Sequence, residues 1–478
     1  MTTLTIATIA FAFLIGFSIY LLPGLARYLS LTVALATAGY AAQLFLTPAP
    51  VELHLLDHFG VTLIADSLSA FFILTNALVT IAVILSCWQG ERTAFFYMQV
   101  TVLHGSLNAV FISADLISLY VALEVISIAA FLLISYPRSD RTIWIGLRYL
   151  FVSNTAMLFY LVGAVLVYQA NHSFAFTGLT NVSPEAIALV LLGLLTKGGV
   201  FVSGLWLPLT HAEAATPVSA LLSGVAVKAG VFPLVRCALL VPEAKSMVLV
   251  LGLATALLGV SYAMFENDVK RLLAFSTISQ LGFVLAAPEV GGFYALAHGL
   301  AKALLFLTAG SLPSRNLSQL RDQTLSYSLW LPLALGSFSI SGLPLLAGYG
   351  AKVLAMENLL TWQAIGMNIA ACGTAVVFAR LILLPHGAIA TRKPVAWGGT
   401  AAVLVLSGGL LAANGVDYQT YKPLSLLKSL AIIAAGWAAY WLILRRLNLD
   451  LPDVLEDFEN LLGMMSLALV VLFGMVIL

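Results

Sequence analysis

Apolar runs close to the length of a membrane span recur along the whole chain, separated by short polar breaks. A transmembrane helix needs about 20 apolar residues, and lipid admits only helices or closed barrels, because every backbone polar group must be paired inside the protein. The runs are continuous rather than alternating, which favours helices. Charged residues make up 9% of the 478 residues, whereas a soluble domain carries about 25%. The sequence therefore predicts an all-α, polytopic membrane helix bundle.

The runs predict 14–16 transmembrane helices and no soluble domain. Sixteen candidate spans can be read from the sequence: 4–22, 29–46, 67–88, 95–113, 116–136, 144–168, 186–206, 217–240, 247–265, 272–290, 293–312, 329–356, 362–384, 396–414, 425–446 and 459–478. The first run has no basic segment before it, so we expect a retained span and not a cleaved signal peptide. We expect one membrane domain over 1–478, divided into N-terminal helices (1–94), a first five-helix repeat (95–240), a second five-helix repeat (247–384) and C-terminal helices (396–478).

The basic residues of the short loops predict the orientation of the chain, because Lys and Arg concentrate on the cytoplasmic side. Alternate breaks hold most of them: Arg27, Arg92, Arg138, Arg141, Lys270, Arg271, Arg315, Arg321, Arg392, Lys393, Arg445 and Arg446. The intervening breaks hold little beyond Lys245 and Lys422. This bias predicts a multi-pass protein of the cell inner (plasma) membrane with its N-terminus outside. His211, in "WLPLTHAEAATP", then falls on the cytoplasmic side.

Composition and motifs exclude several classes of function. The net charge of +1 argues against a nucleic-acid partner, which would need a basic patch. Cys87, Cys237 and Cys372 lie far apart in apolar segments, so they form no metal-ligand spacing. The chain has no phosphate-binding loop, dinucleotide fingerprint or cysteine cluster. We therefore expect it to bind no cofactor or metal itself, and a redox role would need partners.

Several ionisable residues lie inside the predicted spans. Each charge costs at least about 2.5–3.5 kcal/mol at the centre of a span, so such residues mark functional sites by default. We interpret six of them as a proton path: Glu124, Lys197, Lys228, His298, Lys302 and Lys352. Arg148 and Arg380 lie near span ends, where long side chains reach the interface, and we favour a structural role for both. His104 has no charged residue near it in its predicted span, and we favour a packing role for it.

Spacing suggests how these residues work together. Glu124 is too short to reach the interface easily, and Lys197 is its natural partner, either as a functional pair or as a structural ion pair that locks two helices. His298 and Lys302 are four residues apart and share one helix face. Burial disfavours the charged lysine and a nearby carboxylate favours it, so breaking the Glu124–Lys197 pair would push a proton towards Lys228. Hydroxyls would relay it, among them those of Ser203, Ser223 and Ser276.

Two of the lysines adjoin glycines that weaken a helix in mid-span. Lys197 lies in "LLGLLTKGGVFVSG" and Lys352 in "GLPLLAGYGAK". Interrupted helices at corresponding places of two halves indicate an ion path. Each interrupted helix is the fourth of its five-span group, and an odd number of spans makes the second group enter from the opposite side. Helix order and charge placement thus predict an inverted repeat, and Gly198 and Gly199 predict a helix broken by flexibility more than by a fixed kink.

At these motifs the sequence resembles the antiporter-like membrane subunits shared by respiratory complex I and Mrp-type multisubunit Na⁺/H⁺ antiporters. The resemblance covers about residues 60–385 and rests on ordered motifs: "DLISLYVALEV", "TKGGVFVSGLWLPLTHAEAATPVSALLSGVAVKAGVFPLVR", "DVKRLLAFSTISQLGF", "AHGLAKALLFLTAG" and "GLPLLAGYGAK". It implies that Glu124 is the essential glutamate of the family. It also places family lysines at Lys197 and Lys228, the His and Lys of the eleventh span at His298 and Lys302, and the terminal charge at Lys352.

The branch of this family is indicated by "ALEVISIAAF", "STISQLGF" and the tail "LPDVLEDFENLLGMMSLALVVLF", which resemble the Mrp D subunit more than complex I. Two departures from the family pattern are the missing proline after Lys197 and the triplet Leu-Thr-His where Asp-Ala-His is common. The resemblance implies a proton-translocating subunit of a multisubunit cation/proton antiporter, a transporter rather than an enzyme, with other membrane subunits as partners. The alternative is a proton-pumping subunit of a complex I-like quinone oxidoreductase or membrane-bound hydrogenase. A non-transporting scaffold is disfavoured by the many intramembrane charges.

Overall fold

A computed structural model describes residues 1–56, 60–388, 396–416, 418–446 and 456–477. The predicted loop charges Arg392 and Lys393, and residues 447–455 around the tail motif, lie outside these described residues.

The chain is helical almost throughout. The helices are α1 (Thr2–Leu21), α2 (Ala26–Phe45), α3 (Ser67–Ser86), α4 (Ala94–Val110), α5 (Leu116–Ile134), α6 (Asp140–Asn171), α7 (Pro184–Gly198), α8 (Leu207–Glu213), α9 (Thr216–Leu221), α10 (Lys228–Leu240), α11 (Pro242–Phe265), α12 (Val269–Ala286), α13 (Gly291–Ala309), α14 (Leu317–Arg321), α15 (Tyr327–Ser341), α16 (Ala347–Glu357), α17 (Thr361–Ile382), α18 (Trp397–Val416), α19 (Pro423–Leu442) and α20 (Phe458–Ile477). The all-α prediction is confirmed.

Two short β-ladders, which the sequence analysis did not predict, complete the secondary structure of the described residues. Strand β1 (Val51–Leu56) pairs antiparallel with β2 (Gly60–Ala65), with Val51 opposite Ala65. Strand β3 (Leu325–Ser326) pairs in parallel with β4 (His386–Gly387). All four strands lie in connections between helices, so they leave the class of the fold unchanged.

Fourteen helical segments of the described chain are long and apolar enough to cross a membrane. The other two predicted spans correspond to the 17-residue helix α4 and to the discontinuous pair α15 and α16. Each of the sixteen predicted spans therefore coincides with helical structure, and the chain is a multi-pass membrane protein. The inverted relation between the two five-helix groups stays a prediction.

Polar residues at the loop ends of the helices define where several spans begin. Asp66 accepts a hydrogen bond from the Ser69 N–H at 2.9 Å and caps α3. Asp115 caps α5, Ser139 caps α6 and Asp268 caps α12 in the same way. Such caps satisfy N–H groups that the first turn leaves unpaired. They explain why most predicted boundaries lie within a few residues of the observed ones.

The helices differ sharply in how far the protein encloses them. Of the 18-residue apolar window in each segment, 89% is buried in Pro184–Gly204, 100% in Thr216–Leu240, 94% in α12 and 89% in the segment of α13. The corresponding share is 22% in α1, 22% in α18 and 17% in α19. Three of the four intramembrane lysines therefore lie in the segments that the protein encloses most fully.

One ion pair anchors the end of the enclosed helix α10 to the start of α3. The Arg236 guanidinium contacts both carboxylate oxygens of Asp66, with the Nη2–Oδ1 pair at 3.0 Å, and also reaches the Ser69 hydroxyl at 3.3 Å. Burial raises the pKa of the Asp66 carboxyl, but hydrogen bonds and the positive charge of Arg236, together with Ser69, outweigh this effect and hold the pKa below its ordinary value. The folded protein therefore favours the ionised form of Asp66.

We expect Asp66→Asn to lower thermal stability, by about 1–3 kcal/mol, because it leaves a half-buried guanidinium without its countercharge while keeping a side chain that can cap α3. The folded pKa lies below the unfolded one, so this stabilisation is present above the unfolded pKa of about 4 and is lost as the pH falls through the folded pKa. Thermal unfolding in detergent at neutral pH measures the effect. Glu185→Gln, at an exposed position, is the control, and equal stability of the two variants would contradict the expectation.

Candidate functional site

Lys197 lies in the last turn of α7 and is 4% exposed. Its ammonium donates hydrogen bonds to the hydroxyls of Ser127 on α5 and of Ser153 on α6, the latter at 2.7 Å. The same ammonium lies 5.9 Å from the centre of the Tyr149 ring. Neutral oxygens and an aromatic face from two neighbouring helices thus replace the water that a surface lysine would bind.

The helix that carries Lys197 ends directly after it. Gly199 adopts the left-handed conformation, with φ at +68°, and the Val200 N–H donates back to the Leu195 carbonyl at 2.9 Å, which closes a Schellman-type turn. A short 3₁₀ turn, Phe201–Gly204, follows. The predicted interruption is therefore present, and a left-handed turn at Gly199 is the form that it takes. The greater flexibility expected of Gly198 and Gly199 stays a prediction.

The neighbouring glycine brings two lysine-bearing helices into backbone contact. A Cβ added to Gly230 of α10 would lie 2.2 Å from the Gly198 nitrogen and 2.5 Å from the Leu194 carbonyl oxygen of α7. Only a glycine at 230 permits this approach. Lys197 precedes the contact by one residue on α7, and Lys228 by two residues on α10, so the close packing places the two lysines on adjoining turns.

Lys228 is fully buried at the start of α10, immediately after a π-helical turn, Leu222–Ala226. Its ammonium donates to the Gly224 carbonyl at 2.6 Å and to the Ser223 carbonyl at 3.3 Å, both in that turn. A π-turn leaves carbonyls displaced from regular helical pairing and occurs often at functional sites. The sequence predicted a weakened helix here, and the π-turn is the form that the weakening takes.

A cluster of hydrogen bonds lies between Lys228 and Lys302 at α12, although no hydrogen bond joins the Lys228 ammonium to the Ser223 hydroxyl among the described residues. The Ser223 hydroxyl lies 2.7 Å from the Thr277 hydroxyl, which donates to the Leu273 carbonyl at 2.9 Å. Lys302 on α13 donates to the same carbonyl, also at 2.9 Å, and to the Ser276 hydroxyl. Of the three hydroxyls predicted as relays, those of Ser223 and Ser276 belong to this cluster. The Ser203 hydroxyl instead bonds the Val200 carbonyl at 2.6 Å.

His298 lies one turn before Lys302 on α13 and is 2% exposed. Neither of its ring nitrogens has a hydrogen-bond partner among the described residues. It lines a cavity about the size of a single water molecule, together with Gln280 and Tyr294, and with Ser339 of α15 and Ala351 of α16 on the far side. A donor and acceptor ring without partners beside a water-sized cavity is arranged to bind water or to exchange a proton.

Lys352 lies in the second interrupted segment, on α16, next to the cavity-lining Ala351. Helix α15 ends at Ser341, Gly342 is left-handed with φ at +87°, and the Leu343 N–H donates to the Phe338 carbonyl at 3.0 Å. The Lys352 ammonium reaches back from α16 to the Ser341 carbonyl at 3.4 Å. The second break thus precedes its lysine, whereas the first break follows Lys197. Both ammonium groups nevertheless lie beside the end of a broken helix.

Glu124 and Lys197 are close but do not form an ion pair of 4 Å or less in the described structure. Glu124 is half-buried on α5, one turn before Ser127, and one of its carboxylate oxygens is buried without a hydrogen-bond partner among the described residues. The predicted contact is thus open in this structure, and the ammonium is held by serines instead.

The residues assigned structural roles are held by ordinary hydrogen bonds. His104 lies between the Thr37 and Thr80 hydroxyls, at 2.9 and 3.0 Å. Arg148 donates to the Glu456 carbonyl at 2.5 Å and to the Trp206 carbonyl at 3.5 Å. Arg380 donates to the Met264 carbonyl at 2.6 Å, at the end of α11. These contacts agree with the predicted packing and structural roles.

Sequence reasoning missed His211, which it treated as a loop residue. His211 is fully buried in α8, and both ring nitrogens lack hydrogen-bond partners in the part of the chain that the structure describes. Its ring packs against Phe306 of α13 at 5.4 Å between centroids. The apolar residues before it in "WLPLTH" were the signal that could have placed it at depth.

Residues 113–378, more than half of the chain, match the family described as NADH:quinone oxidoreductase/Mrp antiporter, transmembrane. The chain belongs to this family. The expected resemblance is therefore confirmed, and the residues of the site from Lys197 to Lys352 all fall within the matched segment.

Individual proteins agree with this assignment. Hydrogenase-4 component B of Escherichia coli (strain K12) is 27% identical over 366 residues, which are 64% of this chain and 54% of that protein. The chain thus spans about half the length of this curated relative. A chain of the membrane-bound sulfane sulfur reductase, an archaeal respiratory membrane complex, has a TM-score of 0.77 at 21% identity and covers 91% of this chain and 98% of its own. A chain of the Mrp complex from Dietzia sp. DQ12-45-1b has a TM-score of 0.72 at 24% identity, and the match covers 98% of this chain and 56% of the Mrp chain. The two structural likenesses show a shared fold.

We expect Gly230→Ala to destabilise the protein by about 1–3 kcal/mol, because the added methyl group meets backbone atoms of α7 that cannot rotate away. Gly408→Ala is the matched control, since a Cβ at Gly408 in α18 meets no described atom within 4 Å and alanine favours a helix. Thermal unfolding of both variants in detergent tests this. Equal stability of the two would show that α7 and α10 are not in backbone contact.

Proposed function

We propose that this chain is the proton-translocating subunit of a multisubunit cation/proton antiporter and passes protons along Glu124, Lys197, Lys228, His298, Lys302 and Lys352. The observation that carries the proposal is the polar cluster between two fully buried lysines: Lys228 donates to the Ser223 carbonyl, the Ser223 and Thr277 hydroxyls are paired, and Thr277 and Lys302 donate to the same Leu273 carbonyl. A helix-packing role would need none of these polar links, since each buried polar group is costly unless it is used or paired.

The path begins with an adjustable pair. In one state the Lys197 ammonium donates to Ser127 and Ser153 and does not contact the Glu124 carboxylate. In the other state the two charges form an ion pair, which stabilises the proton on Lys197. Opening the pair therefore favours release of the proton towards Lys228, across the close contact of α7 and α10. From Lys302 the proton reaches His298, and the cavity beside that ring leads to Lys352.

The cellular setting follows from the same proposal. The basic loops favour the cell inner membrane with the N-terminus outside. The two five-helix groups then form an inverted repeat, with one interrupted helix in each. Weakly enclosed helices at both ends of the chain, such as α1 and α19, are the surfaces on which other membrane subunits of the assembly dock.

A second candidate function is a proton-pumping subunit of a complex I-like quinone oxidoreductase or a membrane-bound hydrogenase complex. Two observations favour it: the similarity to hydrogenase-4 component B and the fold shared with a respiratory sulfane sulfur reductase. Purification in mild detergent, followed by identification of the co-purifying chains, separates the two candidates. Small membrane subunits alone support the antiporter, and hydrophilic iron–sulfur subunits support the redox complex.

We expect Lys197→Met to leave the protein folded and to slow cation-driven proton movement by about 100-fold or more, because it removes a proton carrier. The assembled complex in proteoliposomes, with a pH-sensitive dye inside, provides the measurement. Lys245→Met is the control, since the Lys245 side chain, in the first turn of α11, is 43% exposed and pairs with Glu289 at the surface. Undiminished transport by the folded Lys197→Met complex would refute the proposed path.

We expect Thr277→Val to slow proton movement by about 10-fold, because it removes the hydroxyl that joins Ser223 to the Leu273 carbonyl, while Thr277→Ser should keep near-normal rates. Thr308→Val is the control, because the Thr308 hydroxyl donates within its own helix, to the Leu304 carbonyl at 2.8 Å. The same proteoliposome assay applies. Equal rates for the valine and serine variants at 277 would exclude this hydroxyl from the path.

A further inference from the structure

The two helix breaks are built in the same way. Each begins with a left-handed glycine, Gly199 or Gly342, in a Schellman-type turn. Each then contains a second residue with positive φ that is not glycine: Phe201 at +54° and Leu345 at +79°. Side chains with a Cβ adopt this conformation only when surrounding contacts impose it, and such strain collects at functional sites.

In both breaks a side-chain hydroxyl from another element holds the strained residue. The Phe201 N–H donates to the Thr255 hydroxyl of α11 at 3.0 Å. The Leu345 N–H donates to the Tyr421 hydroxyl at 2.8 Å. Freed backbone groups at membrane depth must find such partners, and here each partner is a hydroxyl.

Both hydroxyls are oriented to accept. Thr255 donates its own proton to the Leu251 carbonyl at 2.5 Å, and Tyr421 donates to the Asn414 side-chain oxygen at 2.9 Å. Their lone pairs therefore face the break. Each hydroxyl also follows its own five-helix group in sequence, Thr255 after the first group and Tyr421 after the second. The break of each group is thus fastened to the unit that comes next.

We infer that Thr255 and Tyr421 are positioning residues that hold the two helix breaks in their strained conformation and couple each break to the following unit. Thr255 thereby fixes the end of α7 beside Lys197. Tyr421 fixes the segment between Ser341 and Lys352, where the Ser429 hydroxyl also bonds the Gly342 carbonyl at 2.6 Å. The effect on transport rests on the proposed function, whereas the effect on the backbone does not.

Hydrogen–deuterium exchange of the full complex tests the backbone effect directly. In Thr255→Val, which keeps the side-chain shape, exchange in the segment 199–206 should accelerate by about five-fold, because one hydrogen bond is lost. Thr255→Ser should exchange like the parent, and Thr308→Val should leave the segment unchanged. Unchanged exchange in Thr255→Val, or equal exchange in the serine and valine variants, would overturn the inference.

The second break has its own variants. Tyr421→Phe should accelerate exchange in the segment 342–349, by less than in the first break because Ser429 still holds Gly342. Tyr97→Phe is the control, since it removes a hydroxyl that bonds the Cys87 carbonyl at 3.2 Å, in another part of the bundle. Equal exchange in the two phenylalanine variants would remove Tyr421 from the inference.

Transport in proteoliposomes then tests the positioning role. Thr255→Val should lower the maximal rate several-fold with an unchanged half-saturating cation concentration, and Thr255→Ser should restore it. Faster hydrogen–deuterium exchange together with a normal transport rate would contradict the coupling between the helix break and transport. Failure of the proposed function is distinguishable, because it would appear as normal transport by Lys197→Met, whatever the exchange rates show.

Discussion

Inside a membrane, a backbone group released from a helix must find a partner within the protein, because lipid offers none. The two interrupted spans of this protein depend on that constraint. At the first break, the Trp206 indole donates to the Thr196 carbonyl at 2.9 Å while Thr255 accepts from the Phe201 N–H. At the second, Ser429 and Tyr421 take the same two roles. The buried lysines can lie beside broken helix ends only because these side chains satisfy the exposed backbone first.

The fold and the ionisable residues were predictable from the sequence, because both follow from short-range patterns. Continuous apolar runs specify spans one at a time, and a charge within a run is conspicuous wherever the run packs. Lys197, Lys228 and Lys302 were identified on this basis, and all three are buried. The β-ladders escaped prediction because pairs as short as β3 and β4 depend on the packing of helices and not on their own residues.

The partners of the site could not be predicted, because they come from distant parts of the sequence. Ser127 and Ser153, which hold Lys197, resemble any other serines in apolar spans, and only the packing of α5 and α6 brings them together. His211 was assigned to a loop because polar residues follow it, whereas tertiary packing buries its side chain completely. The expected ion pair between Glu124 and Lys197 is not formed in the described structure. The sequence can identify two opposite charges, but it cannot show whether the ammonium binds the carboxylate or nearby hydroxyls.

The proposed path is unevenly connected, and the unevenness matches the position of the breaks. Its middle is rich in hydrogen bonds: Lys228 donates to carbonyls of the π-turn, while the Ser223 and Thr277 hydroxyls and Lys302 form a cluster around the Leu273 carbonyl of α12. No hydrogen bond links Lys197 to Lys228 among the described residues, and only a water-sized cavity separates His298 from the segment that carries Lys352. Both of these links lie where a helix is broken and strained, whereas a third link without a hydrogen bond in the described part of the chain, from Lys302 to His298, lies within α13. A rigid centre with two adjustable ends permits proton entry and exit to be controlled separately, because a small movement at one break changes one link and leaves the hydrogen-bonded middle intact.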